Sequence, residues 1–191
     1  KRLLISKKIS NIIVAYPTSK KNNIIFNLLK KEKIQFFRGS EKNVLERYYK
    51  AAKFYKADII VRITSDCPFS DPKLIDKFLR IFLKKNFDYY SNVSKRTYPA
   101  GFDIEIFNYK VLEFAYKKAT SKYDKEHVTP YLIRSKKIIK GVNILSNDYS
   151  KMRVTLDTKE DLLKLRTIGR NLNPKKYFSW KYILSKLKRI H

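Results

Sequence analysis

The 191-residue chain has one cysteine, one methionine and one tryptophan, four glycines, six prolines and two histidines. The lone Cys67 excludes a disulfide framework within the chain and a multi-cysteine zinc site. So little glycine and proline excludes collagen-like or low-complexity sequence. No apolar run approaches the roughly 20 residues that span a bilayer, so no membrane insertion is expected. The opening Lys1-Arg2-Leu3-Leu4-Ile5-Ser6 runs into Lys7-Lys8, not into the long apolar stretch of a secretory signal, and a cytoplasmic location is expected. Acidic residues are also scarce, 17 against 44 lysines and arginines, which leaves a net charge of +27.

That charge does not by itself name a partner. Thirty-three of the basic residues are lysines, spread from Lys1 to Lys188 and often paired, as at Lys20-Lys21, Lys84-Lys85 and Lys136-Lys137. A nucleic-acid binder tends to gather its cations on one element with exposed aromatics between them. Here lysine travels with abundant Ile, Asn, Tyr and Phe, the set favoured by AT-rich codons, so the charge reads first as composition. Nucleic acid is not expected as the main partner. A basic nucleic-acid-binding domain without catalysis is the alternative.

With 43% apolar residues the chain can fill one core. Its pattern alternates short β runs with longer helical ones. Strands are expected near 11–15, 34–37 and 58–64, and helices near 22–33, 43–55 and from Asp71-Pro72, an N-cap followed by proline at the first helical position. Beyond residue 88 the rhythm loosens. Strands are expected at 89–90, 103–107, 142–145 and 153–156, and helices at 110–119, 125–135, from the capping box at Thr158 to about Asn171, and from Trp180 to about Arg189. The βαβ alternation predicts an α/β domain over residues 1–171 with a mainly parallel sheet, followed by a basic helical tail over 172–191.

Ligands of open α/β sheets bind beyond the carboxyl ends of the strands. Those ends carry Arg38-Gly39-Ser40, Thr64-Ser65-Asp66 and Leu156-Asp157-Thr158. Two carboxylates so placed suit Mg²⁺, which takes one or two protein oxygens and completes its shell with water and phosphate. The plainer reading is that Asp157 introduces a helix and Asp66 shapes a turn.

Six segments in order resemble the spore-coat polysaccharide (SpsF-type) cytidylyltransferases, relatives of the enzymes that activate sialic acids and 3-deoxy-manno-octulosonate. They are Phe37-Arg38-Gly39-Ser40 through Tyr48, Ala57 through Asp66-Cys67-Pro68, Arg96-Thr97-Tyr98-Pro99, Gly101-Phe102-Asp103-Ile104-Glu105 through Phe107, Glu126-His127-Val128-Thr129-Pro130-Tyr131, and Val154-Thr155-Leu156-Asp157-Thr158 through Leu162. The resemblance covers roughly residues 5–170 and implies a three-layer, Rossmann-like nucleotide-diphosphosugar transferase fold. It implies joining of CTP to an acidic sugar, with Mg²⁺ as cofactor. By the resemblance Asp66 matches the aspartate of the family's Asp-x-Pro turn and Asp157 the aspartate before its Thr-x-Glu-Asp helix start, and both are expected to be catalytic as ligands of Mg²⁺. Arg38, Gly39 and Ser40 match the loop against the nucleotide, with Thr64 near the ribose. Arg96, Asp103, Glu105, Glu126 and His127 are the candidates for the sugar. Arginine suits a carboxylate, and Asp103 and Glu105 share one strand face. For Arg96 and His127 a surface or structural role competes, and for Asp103 and Glu105 a solvated face. A homodimer is expected, with residues 95–150 as its contact.

The family also begins with a strand and a glycine-containing basic loop that grips the triphosphate, and no such segment occurs here. The expectation is an N-terminally truncated chain that lacks the first, central strand and is inactive alone.

Overall fold

The computed structural model describes residues 2–170, 172–173 and 176–188. The expected helix ends at Asn171 and Arg189 lie outside these residues. Among the described residues no helix is long and apolar enough to cross a membrane.

After a short 3₁₀ turn at Arg2–Ile5, strand β1 (Ile13–Pro17) leads through helix α1 (Asn23–Lys31) to β2 (Gln35–Gly39), which pairs with β1 in parallel. Helix α2 (Val44–Phe54) carries the chain back, and β3 (Ile59–Arg62) follows. Helix α3 (Pro72–Lys85) starts where Asp71 accepts hydrogen bonds from the Lys73 and Leu74 amides, and ends at Asn86 in the left-handed region (φ +50°). Next come β4 (Tyr89–Ser91), β5 (Glu105–Asn108), α4 (Tyr109–Lys118), α5 (Lys122–His127), α6 (Pro130–Arg134), β6 (Lys140–Val142), α7 (Lys159–Gly169) and α8 (Trp180–Leu187).

The strands form two sheets, β1-β2 and β3-β5-β4-β6. β5 runs antiparallel to both neighbours, while β4 and β6 are parallel, so the architecture is mixed α/β. No pairing joins β3 to β1 or β2. Helix α2 spans the division: Leu45, Tyr49 and Ala52 pack with Tyr89, Phe107 and Leu112, and the helix also covers β1 and β2. On the other face of the larger sheet, Ile75, Phe78 and Phe82 of α3 meet Tyr90, Phe102, Ile104 and Ile106. Helix α8 belongs to the same core through Trp180, Ile183, Leu184 and Leu187, so the segment expected as a tail is packed.

Two expectations need correction. Residues 125–135 form two short helices, because Pro130 opens α6 and Val128 turns the chain at φ +74°, a costly backbone for a β-branched residue. Residues 153–156 form no strand; the segment makes one isolated bridge, Ala100 with Arg153. That bridge is flanked by bonds from the Ala100 amide to the Met152 carbonyl (2.9 Å) and from the Val154 amide to the Ala100 carbonyl (2.8 Å). Gly101 makes the approach feasible. Its φ is +102°, and a Cβ there would lie 2.8–3.0 Å from Val154.

Candidate active site

The loop after β3 and the segment before α7 meet. The Leu156 amide donates to the Asp66 carbonyl at 2.8 Å, which sets Asp157 one residue from a direct contact with Asp66. Asp66 is half-buried and Asp157 exposed, so both carboxylates sit at the rim of the fold. Asp157 precedes α7, whose capping box uses Thr158 and Asp161. Its carboxylate accepts from Arg153 at 2.6 Å.

A cleft of about 350 Å³ opens between the ends of β3 and β5 and helices α5 and α6, and neither Asp66 nor Asp157 lines it. Thr64, Arg96, Asp103, Glu105 and His127 all line it, so five of the expected site residues share one wall system. Arg96 is held bidentately by Asp103, at 2.6 and 2.7 Å. That hydrogen bonding holds the guanidinium pKa above its usual value. Glu105 is almost wholly buried and accepts from Arg62 and, at 2.7 Å, from the Tyr89 hydroxyl. Burial first, then the Glu105 charge, pushes the Tyr89 phenol up, so it remains a donor. The His127 ring rests on Tyr123, 4.5 Å between centroids, at the mouth. Glu126 is exposed and does not line the cleft.

Cys67 ties the two parts together. Its thiol lies 3.3 Å from Thr64 Oγ1 and 3.7 Å from an Asp66 oxygen. Burial pushes the thiol up to about 12, which leaves it inert as a nucleophile.

Arg38 and Gly39 end β2 and Ser40 follows it, and none of the three lines this cleft. The Ser40 carbonyl accepts from Arg47 and its hydroxyl from the Asn43 amide at 2.9 Å. A Cβ on Gly39 would press on Arg47 Cγ at 3.0 Å. The loop is therefore shaped from below by α2. Tyr16 Oη, Arg47 Nε and Arg62 Nε are buried here with no protein partner, although such groups are normally satisfied.

Sequence reasoning missed Arg62, Tyr89 and Arg153. Arg62 sits at the end of an apolar strand opposite Glu105, in register on β5, a pairing visible only once the strands are aligned. Arg153 was legible as a cation four residues before an aspartate.

The donor set suits a hard, hydrated cation. Two carboxylates on adjoining, accessible loops leave room for water and phosphate, as Mg²⁺ requires. Among the described residues no group of three or more His, Cys, Asp or Glu is placed to hold a metal, so a closed zinc-type cage is not built.

Comparison with known proteins gives the family and the fold. A family model described as cytidylyltransferase matches residues 1–179. An uncharacterized protein of Methanocaldococcus jannaschii, MJ1063, is 44% identical over 163 residues, 84% of this chain and 66% of that protein. The spore coat polysaccharide biosynthesis protein SpsF of Bacillus subtilis is 29% identical over 163 residues, 83% of this chain and 66% of that one. The chain thus spans just under two thirds of the length of these curated relatives. Among solved structures, a cytidylyltransferase from Leptospira borgpetersenii superposes with a TM-score of 0.92 at 33% identity, covering 99% of this chain and 80% of that one. A CMP:2-keto-3-deoxy-manno-octonic acid synthetase complexed with CTP shares the fold, with a TM-score of 0.62 at 12% identity over 90% of this chain and 86% of that one. The chain belongs to the cytidylyltransferase family.

Proposed function

We propose that this chain is the greater part of a Mg²⁺-dependent nucleotidyltransferase that moves CMP from CTP to an acidic sugar for a surface polysaccharide or glycan. The observation that supports the reading is the backbone hydrogen bond from the Leu156 amide to the Asp66 carbonyl, which joins the two aspartate-bearing loops, while Arg96, Asp103 and Glu105 line a cleft at the carboxyl end of β3. In the reaction a sugar hydroxyl attacks the α-phosphorus of CTP, an O–P bond forms, and pyrophosphate leaves. Asp66 and Asp157 would hold Mg²⁺, which when bound offsets the charge that builds on the phosphate oxygens.

The remaining work falls to residues of this chain. Arg38, Gly39 and Ser40 receive the nucleotide at the end of β2, and Thr64 lies on the path to the ribose. Asp103 and Glu105 face the cleft as acceptors for sugar hydroxyls. Arg96 uses one N–H of each terminal nitrogen on Asp103, and its remaining donors serve the sugar carboxylate. His127 closes the mouth on Tyr123 and orients the incoming sugar, with Glu126 beyond it.

The reading includes a dependence on more chain. β3 is one of the two edge strands of the four-stranded sheet, and buried polar atoms of Tyr16, Arg47 and Arg62 lack protein partners. An upstream segment that supplies a strand and a triphosphate-gripping loop would satisfy both. The experiment is pyrophosphate release from CTP with 3-deoxy-2-keto sugar acids, run on this chain and on an upstream-extended version. Mg²⁺-dependent release by the extended protein alone is expected. Equal turnover by both refutes the dependence. No turnover by either, together with salt-dependent DNA binding, favours the nucleic-acid alternative that the +27 charge allows.

A further inference from the structure

Arg153 is the partner the structure shows for the Asp157 carboxylate, and it is a cation. Its Nη2 lies 2.6 Å from Asp157 Oδ2 and 2.6 Å from Asp161 Oδ2. The two acids are differently committed. Asp161 also accepts from the Asp157 and Thr158 amides, at 3.0 and 2.9 Å, and is locked in the capping box of α7. Asp157 is free of that box and half exposed. The backbone of Arg153 is pinned by the bridge to Ala100, and its side chain reaches both aspartates from there.

We propose that Arg153 is a built-in counter-cation that weakens the site for a bare divalent ion, so that the metal enters as its nucleotide complex. The proposal rests on Asp157 being a metal ligand, as argued above. A bare ion must displace or share the Asp157 oxygen with a guanidinium, and it must approach a protein of net charge +27. A metal–nucleoside triphosphate complex keeps a net negative charge and is drawn by the same field. Its phosphates also offer the guanidinium a new partner, to which arginine is well matched. Asp157 is thereby held ready and released when the nucleotide arrives.

The test is Mn²⁺ binding to the nucleotide-free chain, read by water-proton relaxation and electron paramagnetic resonance, with circular dichroism as a check on folding. Loss of a half-exposed ion pair leaves the fold intact, and Arg153→Gln is expected to bind Mn²⁺ about five-fold more tightly than wild type, about 1 kcal/mol. Arg153→Lys, which keeps the charge, should stay within about two-fold of wild type on the same scale. Adding Asp157→Asn to Arg153→Gln should abolish the gain. Unchanged or weaker binding by Arg153→Gln overturns the counter-cation role. If instead Asp66→Asn and Asp157→Asn each bind Mn²⁺ as well as wild type, the metal assignment itself has failed.

Discussion

The β1–β2 region and the four-stranded region are built from similar sequence, yet they pack differently. β1 reads Ile-Val-Ala-Tyr-Pro and β3 Ile-Ile-Val-Arg, both apolar on either face. In β1 only Tyr16 is buried, in β2 no residue is, and Ile24 and Leu28 of the intervening helix stand exposed. In the larger sheet, β4 is buried throughout and β5 carries Ile106 and Phe107 with no accessible surface. The difference is one of neighbours. β5 is paired on both edges and covered by helices on both faces, whereas β1 has one strand partner and leans on α2. A buried strand sequence announces that a cover exists; it does not say which element provides it. The division also separates the candidate residues, since Arg38 and Gly39 end β2 while Thr64, Arg96 and Asp103 line the cleft of the packed region.

The largest expected effect breaks the comparison at the chemistry. In the upstream-extended protein, Asp66→Asn and Asp157→Asn should each lower CTP turnover by about 10²–10³-fold with little change in folding. Arg38→Ala, on the loosely packed side, should act mainly through the KM for CTP, at about ten-fold. Retained activity in Asp66→Asn removes it from the site.

The next effect is on stability. Phe78 is wholly buried against Tyr90 and Tyr98, so Phe78→Ala should cost about 3–5 kcal/mol. Phe36, half-buried on β2, should cost about 1 kcal/mol on the same change, and comparable losses would contradict the contrast in packing. Hydrogen exchange sharpens the same point. Amides of β1 and β2 should exchange well before those of β5, which opens only with the global unfolding of the chain.

The smallest effect concerns pH. Asp124 is buried, and hydrogen bonds from Arg134, then Ser121, hold its carboxyl below the usual aspartate range. A depressed folded-state pKa means that the contribution is complete above the unfolded value and is lost as pH falls through it toward the folded one. Melting between about pH 6 and pH 3 should therefore drop by about 2–4 °C more in wild type than in Asp124→Asn. Equal slopes would show that the pair does not stabilise the α5–α6 side of the cleft.

Much of this was legible beforehand. Helix α3 was marked by its Asp71-Pro72 start and its apolar stripe, and α7 by the Thr158 capping box, because caps are local chemistry. Asp66 was legible as a residue of the loop after β3, whereas among the described residues Asp157 follows no strand and only introduces α7. The break at Val128 was not, since the Pro130 restriction competed with a helical pattern running through it. The segment at 153–156 looked like a strand because its residues suit one, but among the described residues its pairing is a single bridge to Ala100. Nor did sequence spacing show that Arg96 and Asp103 clasp each other, or that Glu105 answers Arg62 across the sheet.

The most direct test is a crystal structure of the upstream-extended protein grown with Mn²⁺ and CTP, with the ion located by its anomalous scattering. The account predicts a peak between the carboxylates of Asp66 and Asp157, in contact with the nucleotide's phosphates. A peak held by phosphate alone, with both aspartates turned away, would contradict it.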